Sequence, residues 1–257
     1  MDELIYKIEE IVRMCGKQIL EAEQEKMNIE IKEGIGNIVT EYDKKVQTIL
    51  KKELLKILPK AHFIGEEESS HTEILETGYT YIIDPIDGTT NFARGFSLSM
   101  ISVAILKNAE PYIGICYNPY IDEMFIAQKG KGAYLNNQPI KVSKKKLNEG
   151  IVLVGSASYY KEIREQSMKV LHDFSIRATD FRRFGSAASD LCNIAAGRAE
   201  VYFELRLQPW DYAAGMLIVE EAGGKVTNIN NEKITFDKPS SILASNNKED
   251  YYKYINN

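Results

Sequence analysis

Asp84-Pro85-Ile86-Asp87-Gly88-Thr89-Thr90-Asn91-Phe92 is the stretch on which the reading of the chain turns. Just upstream, Tyr81-Ile82-Ile83 is apolar and β-prone, and predicts a short buried strand ended by a proline. Two carboxylates then stand three residues apart at the strand end. Pro85 fixes its own φ and biases Asp84 toward extended geometry. Gly88 permits a tight turn or a close approach to a ligand. Thr89 and Thr90 bring hydroxyls and backbone N–H groups to where a short helix can begin, an arrangement that suits an anion. Carboxylates beside anion-ready amides conflict unless cations lie between them. Mg²⁺ meets that need, because it takes one or two carboxylates together with phosphate oxygens. Alone, Asp-Pro and Asp-Gly read first as ordinary turn chemistry, so the weight falls on carboxylates elsewhere.

The same grammar recurs outward. His62-Phe63-Ile64 reads as a strand running into Gly65-Glu66-Glu67-Glu68, for which a solvated acidic loop is the simpler reading. Pro209-Trp210-Asp211 opens a helix, where Asp also serves as an N-cap. Thr40 and Asp43 have capping-box spacing at the start of an amphipathic helix carrying Val46, Ile49, Leu50 and Leu54, and capping is the local reading of Asp43. Glu66, Asp84, Asp87, Asp211 and, more weakly, Asp43 therefore stand where strand meets loop or helix. The three histidines (His62, His71, His172) have no metal-ligand spacing, which argues against zinc. The acidic set points instead to an all-oxygen Mg²⁺ site.

The 257 residues, 44% hydrophobic and 27% charged, suffice for one large domain or two small ones. A net charge of −5 argues against a dedicated nucleic-acid binder and against an anionic membrane surface. Cys15, Cys116 and Cys192 lie in apolar stretches without CxxC spacing and read as buried thiols of a reducing cytoplasm. No signal peptide or long apolar span is legible.

Residues 3–22 carry a helical apolar stripe, and the glycines of the 32–37 segment mark a loop. Ser97 to Leu106, Pro111 to Tyr117 and Glu123 to Ala127 predict an antiparallel meander, followed by a Gly/Asn-rich loop at 129–137. The polar run from Ser143 to Gly150 predicts a boundary between subdomains 1–143 and 144–257. Beyond it, strands (151–154, 180–184, 200–204, 225–227, 242–244) alternate with helices near 160–173, from Ala188 to Gly197 and up to Ala222, which predicts a mostly parallel or mixed layer and a polar terminal helix.

Gly65-Glu66-Glu67, the Asp84–Phe92 stretch and Trp210-Asp211-Tyr212-Ala213-Ala214-Gly215 closely resemble the signatures of the inositol monophosphatase family. That family belongs to the Mg²⁺-dependent, lithium-sensitive phosphatase superfamily, which includes fructose-1,6-bisphosphatases. Val39-Thr40-Glu41-Tyr42-Asp43 and Arg183-Phe184-Gly185-Ser186-Ala187-Ala188 extend the resemblance from about Lys32 to Gly224. It implies an α/β fold, α+β in the N-terminal half, layered as an αβαβα sandwich, and a homodimer. It implies two to three Mg²⁺ per site. Glu66 and Asp84, with the Ile86 carbonyl, would hold the first; Asp84, Asp87 and Asp211 the second; Glu66 would face a weaker third. Glu67 would lie outside them. Asp43 and Thr89 would orient the attacking water, and Gly88 and Thr89 would give N–H groups to the phosphate. Asp87, Ala187, Glu204, Asp211 and Arg183 would face the substrate, with Asn91 at the rim.

Two departures stand out. Asn37 replaces an aspartate common in relatives, which would alter Mg²⁺ and Li⁺ sensitivity. Glu68 lengthens the usual glutamate pair, and Glu66 is taken as the ligand because it follows the glycine. The expected activity is hydrolysis of inositol-1-phosphate or related polyol and sugar phosphates by metal-activated water attack. Fructose-1,6-bisphosphatase activity is the alternative, with Arg183, Arg182 or Arg206 reading a second phosphate. A regulatory binding protein with little turnover is the alternative of another class.

Overall fold

A computed structural model describes residues 3–22, 28–31, 38–68, 73–157 and 160–255. The loop expected at 32–37, with Asn37, and His71 lie outside the described residues. The first layer is a pair of amphipathic helices, α1 (Glu3–Leu20) and α2 (Glu41–Ile57). Ile8, Val12, Cys15 and Ile19 of α1 and Val46, Leu50 and Leu54 of α2 form its buried face. A short antiparallel pair, β1 (Ile29–Ile31) and β2 (Ile38–Thr40), precedes α2 and was not foreseen from the sequence.

The second layer is a seven-stranded sheet of β3 (His62–Gly65), β4 (Tyr79–Asp87), β5 (Met100–Lys107), β6 (Glu110–Asn118), β7 (Glu123–Gln128), β8 (Gly132–Leu135) and β9 (Gln138–Ile140), in that order. β3 runs parallel to β4, and the other neighbours are antiparallel. Tyr81, Ile83, Val103 and Ile105 point to α1 and α2, while Ile82, Ala104 and Leu106 point to the opposite core. Both faces are covered, which is why these strands read as continuous apolar runs rather than alternating ones. The loop expected at 129–137 is instead largely β8 and the turn into β9. Asn136 and Asn137 both take positive φ (46° and 65°), as a tight two-residue hairpin requires. Turn-forming residues on either side of a four-residue strand masked it.

The third layer holds α5 (Ala187–Ala195) and α6 (Pro209–Glu221). α6 is buried on nearly all sides between two sheets, and its composition is apolar accordingly. The fourth layer is a five-stranded mixed sheet ordered β11 (Asp180–Arg182), β10 (Ile151–Val154), β12 (Val201–Leu207), β14 (Ser240–Ser245), β13 (Lys225–Thr227). β10 is parallel to β11 and β12, and β14 is antiparallel to β12 and β13. α4 (Lys161–Ser175) covers the far face, where Phe174 stacks on Phe203 at 5.3 Å between ring centres. The result is the expected αβαβα sandwich. The terminal helix is reduced to a 3-10 turn at Tyr252–Tyr254. Among the described residues, no helix is long and apolar enough to cross a membrane.

Candidate active site

The ends of β3, β4, β12, α5 and α6 enclose a cleft of about 420 Å³. Glu66, Asp84, Ile86, Asp87, Gly88, Thr89, Arg183, Ala187, Glu204 and Asp211 all line it. Asp43 lies just behind, reached through Thr89.

A chain irregularity brings the two aspartates of β4 together. In a regular strand, residues three apart point to opposite faces. Here Asp84 pairs with Ser102 and Asp87 with Met100, so β4 spends one more residue than β5 over the same interval. This bulge at Pro85-Ile86 turns both carboxylates to one side. Ile86 N–H closes back on Asp84 Oδ1 at 2.9 Å, which fixes that side chain. Asp211 comes from the first turn of α6. It is not the N-cap: Gln208 holds that position, Pro209 starts the helix, and Asp211 Oδ2 accepts from Gln208 N at 2.7 Å. Ser102 Oγ donates to the Trp210 carbonyl at 3.2 Å and ties this helix start to β5. One oxygen from each of Asp84, Asp87 and Asp211 then lies within 4.8 Å of the others.

These three carboxylates fit a hard divalent cation. No ion pair among the described residues neutralises them, and burial pushes all three above the usual carboxylate range. For Asp84 the charges of Glu66, Asp87 and Asp211 add to burial; for Asp211 those of Asp87 and Glu66 do. Asp87 rises to about 7 through burial, opposed by hydrogen bonds from Ser186 Oγ and Ala188 N, both at 2.6 Å. Like charges held this closely without a cation are costly, and oxygen-only donors suit Mg²⁺ or Ca²⁺ rather than zinc.

Asp43 makes both contacts foreseen for it, with Thr40 and with Thr89. Thr40 and Asp43 form the capping box of α2, with Thr40 N donating to Asp43 Oδ2 at 2.8 Å. The other oxygen accepts from Thr89 Oγ1 at 3.1 Å. Burial pushes Asp43 to about 6 against the bonds from Thr40. Gly88 sits at φ 92°, a left-handed conformation that glycine adopts without strain, and it starts α3 (Thr89–Ala93). Glu67 N donates to Gln47 Oε1 at 2.9 Å, and Glu68 turns to Lys51 at the surface.

Of the residues expected to face the substrate, Glu204 is held by Ala157 N on Oε1 (2.9 Å) and Tyr202 OH on Oε2 (2.8 Å). The Ala187 N–H is already turned to Asp87. Arg183 lines the mouth and donates from Nε to Ser156 Oγ at 3.1 Å. Asn91 is more than a rim residue. Its Nδ2 donates to the carbonyls of Phe184 (2.6 Å) and Leu98 (3.1 Å) and clamps the loop before α5 to the loop after α3. Arg182 pairs with Asp180 on β11 and is not part of the cleft lining, whereas Arg206 lines it and lies over the Tyr160 ring at 4.2 Å. Sequence reasoning missed Asp190, a cleft-lining carboxylate on α5 that is 1% exposed. Its only sequence signal was an acidic residue inside an otherwise apolar helix.

The profile of the inositol monophosphatase family matches residues 1–257. The chain belongs to the inositol monophosphatase family. The inositol-1-monophosphatase of Bacillus subtilis is 36% identical over 235 residues, covering 91% of this chain and 89% of its own. Nus factor SuhB of Vibrio cholerae is 39% identical over 218 residues, covering 84% and 81%. Inositol monophosphate-bound SaIMPase-II of Staphylococcus aureus superposes with a TM-score of 0.81 at 27% identity, over 98% of this chain and 92% of that one. Membership makes this protein an enzyme of a phosphatase family, built on the inositol monophosphatase fold.

Proposed function

We propose that the protein is a Mg²⁺-dependent phosphomonoesterase that hydrolyses inositol-1-phosphate or related polyol and sugar phosphates. The observation that carries this reading is the convergence of Asp84, Asp87 and Asp211 in one cleft with a hydroxyl acceptor, Glu204, on its other wall. Glu66, Asp84 and the Ile86 carbonyl would hold one cation, and Asp84, Asp87 and Asp211 a second. A third would face Glu66. Bound there, Mg²⁺ supplies charge neutralisation for the phosphate and acidifies the attacking water.

The chain's own groups do the positioning, which is most of what phosphoryl transfer needs. Gly88 and Thr89 offer N–H groups to the phosphate oxygens. Thr89 Oγ1, held by Asp43, accepts a hydrogen bond from the attacking water while its own proton stays on the Asp43 side. Glu204, fixed by Tyr202 and Ala157, accepts a hydroxyl of the leaving polyol, and Asp87 and Asp211 face the ester from the other wall. The two halves, 1–143 and 144–257, would act as subdomains of a cytoplasmic homodimer. The three free buried cysteines agree with a reducing compartment.

A second reading, fructose-1,6-bisphosphatase activity, is favoured by Arg183 and Arg206 at the cleft mouth, where they can read a second phosphate. Relatives named Nus factor SuhB keep a regulatory binding role in view, while the intact acidic set favours turnover. Phosphate release from inositol-1-phosphate and fructose-1,6-bisphosphate, with Mg²⁺ and with EDTA, tests all three. Mg²⁺-dependent turnover is expected, and the ratio of kcat/KM values names the substrate. Metal binding without turnover of either ester would favour the binding role.

A further inference from the structure

Asp190 lies in the first turn of α5 and lines the cleft together with Asp87 and Glu204. Its Oδ1 is the one buried side-chain oxygen or nitrogen among the described residues that has no hydrogen-bond partner. Local structure does not account for an acid here. The helix is capped by Ser186 Oγ, which accepts from Ser189 N, and the Asp190 backbone N–H donates to the Ser186 carbonyl, so the cap does not use the Asp190 carboxyl. Arg183 is the cation nearest to it in effect, and that guanidinium donates to Ser156 instead of forming an ion pair with Asp190. Buried polar groups are normally satisfied, and an exception calls for a water, an ion or a functional role to account for it.

The neighbouring wall indicates what that ligand is. Glu204 has each carboxylate oxygen set by a donor of the protein, so it arrives at the cleft in one orientation. A rigid acceptor and a carboxyl with one unpartnered oxygen thus line the same cleft. Adjacent hydroxyls of a polyol ring, each both donor and acceptor, match such a pair.

We propose that Asp190 is a specificity-determining residue which, alongside Glu204, hydrogen-bonds a second ring hydroxyl of a polyol phosphate. This rests on the phosphatase reading above. It separates hydroxyl-rich leaving groups from plain esters, because a buried polar group left unpaired penalises a substrate that lacks the hydroxyl.

The test compares wild type, Asp190→Leu and Asp190→Asn with Mg²⁺ on inositol-1-phosphate and on para-nitrophenyl phosphate, which has no hydroxyl to read. Asp190→Leu is expected to raise KM for inositol-1-phosphate about 10-fold while leaving KM for the aryl ester unchanged, with kcat for both within a few-fold. Asp190→Asn keeps an acceptor of the same size and should fall between. It also serves if the leucine variant does not fold. Equal effects on both esters, or unchanged KM for both with a raised melting temperature, would overturn the proposal. Failure of the wild type to turn over either ester would count against the phosphatase reading instead. Calorimetric binding of inositol-1-phosphate and inorganic phosphate then decides about Asp190: a loss confined to the inositol ester supports it, and equal behaviour overturns it.

Discussion

Thr89 Oγ1 donates to Asp43 Oδ1 at 3.1 Å, joining residues 46 positions apart. The first follows the bulged strand that carries two of the clustered aspartates, and the second belongs to the cap of α2. The cap of α2 and the pair proposed to orient the reacting water thus share one carboxylate, with a separate oxygen for each.

The two uses can be separated. Thr40→Ala removes the cap and should cost about 1 kcal/mol in urea unfolding. Thr89→Ala leaves the cap in place and should lower kcat about 10²-fold with little change in unfolding midpoint. A Thr89→Ala enzyme of normal kcat would remove the pair from the mechanism.

Asp87→Asn should lower kcat by about 10² or more, by loss of charge where the phosphate is stabilised. It should also weaken Mg²⁺ binding in calorimetry. Activity within a few-fold of wild type would take Asp87 out of the metal-binding set.

Stability should depend on pH in a way that Mg²⁺ reverses. Asp43 and Asp87 sit at about 6 and about 7, above the 3.8 of a free aspartate. Between those values and 3.8 the folded protein binds more protons than the unfolded chain. Through these two groups metal-free stability therefore falls as pH rises across that window. A cation binds the ionised carboxylates, so the Mg²⁺-induced rise in melting temperature should be larger at about pH 8 than at about pH 5. Equal increments at the two pH values would contradict a carboxylate site.

Gly155→Ala should disturb the substrate wall. A Cβ there would overlap Oε2 and Cδ of Glu204. We expect a KM for inositol-1-phosphate raised about 10-fold and a stability loss of about 1–3 kcal/mol, the usual cost of overpacking. Unchanged KM would mean that Glu204 does not contact the substrate.

Much of the fold was legible because its signals are local. The stripe from Ile8 to Ile19 predicts α1, and the apolar runs after His62, Tyr79 and Met100 predict a sheet. β8 was hidden because Gly130, Asn136 and Asn137 outweigh a four-residue strand, and β1 because its three exposed residues bury nothing. Asp211 looked like an N-cap because a helix start was visible while the N-cap Gln208 is an unusual choice for that position. Asn91 could not be read as a clamp, since its partners at Phe184 and Gly185 lie more than ninety positions away.

By itself the sequence determined the layered α/β class, the family and which acidic residues merit a metal, because periodicity, turn chemistry and ordered motifs are written in neighbouring residues. Only the tertiary structure decided that Asp84 and Asp87 face the same way, that Asp211 joins them, and that Asp190 Oδ1 has no partner among the described residues in the cleft it shares with Glu204. Those facts depend on a one-residue bulge between β4 and β5 and on the stacking of α5 and α6 between two sheets. Such long-range pairings set distances that no spacing along the chain encodes.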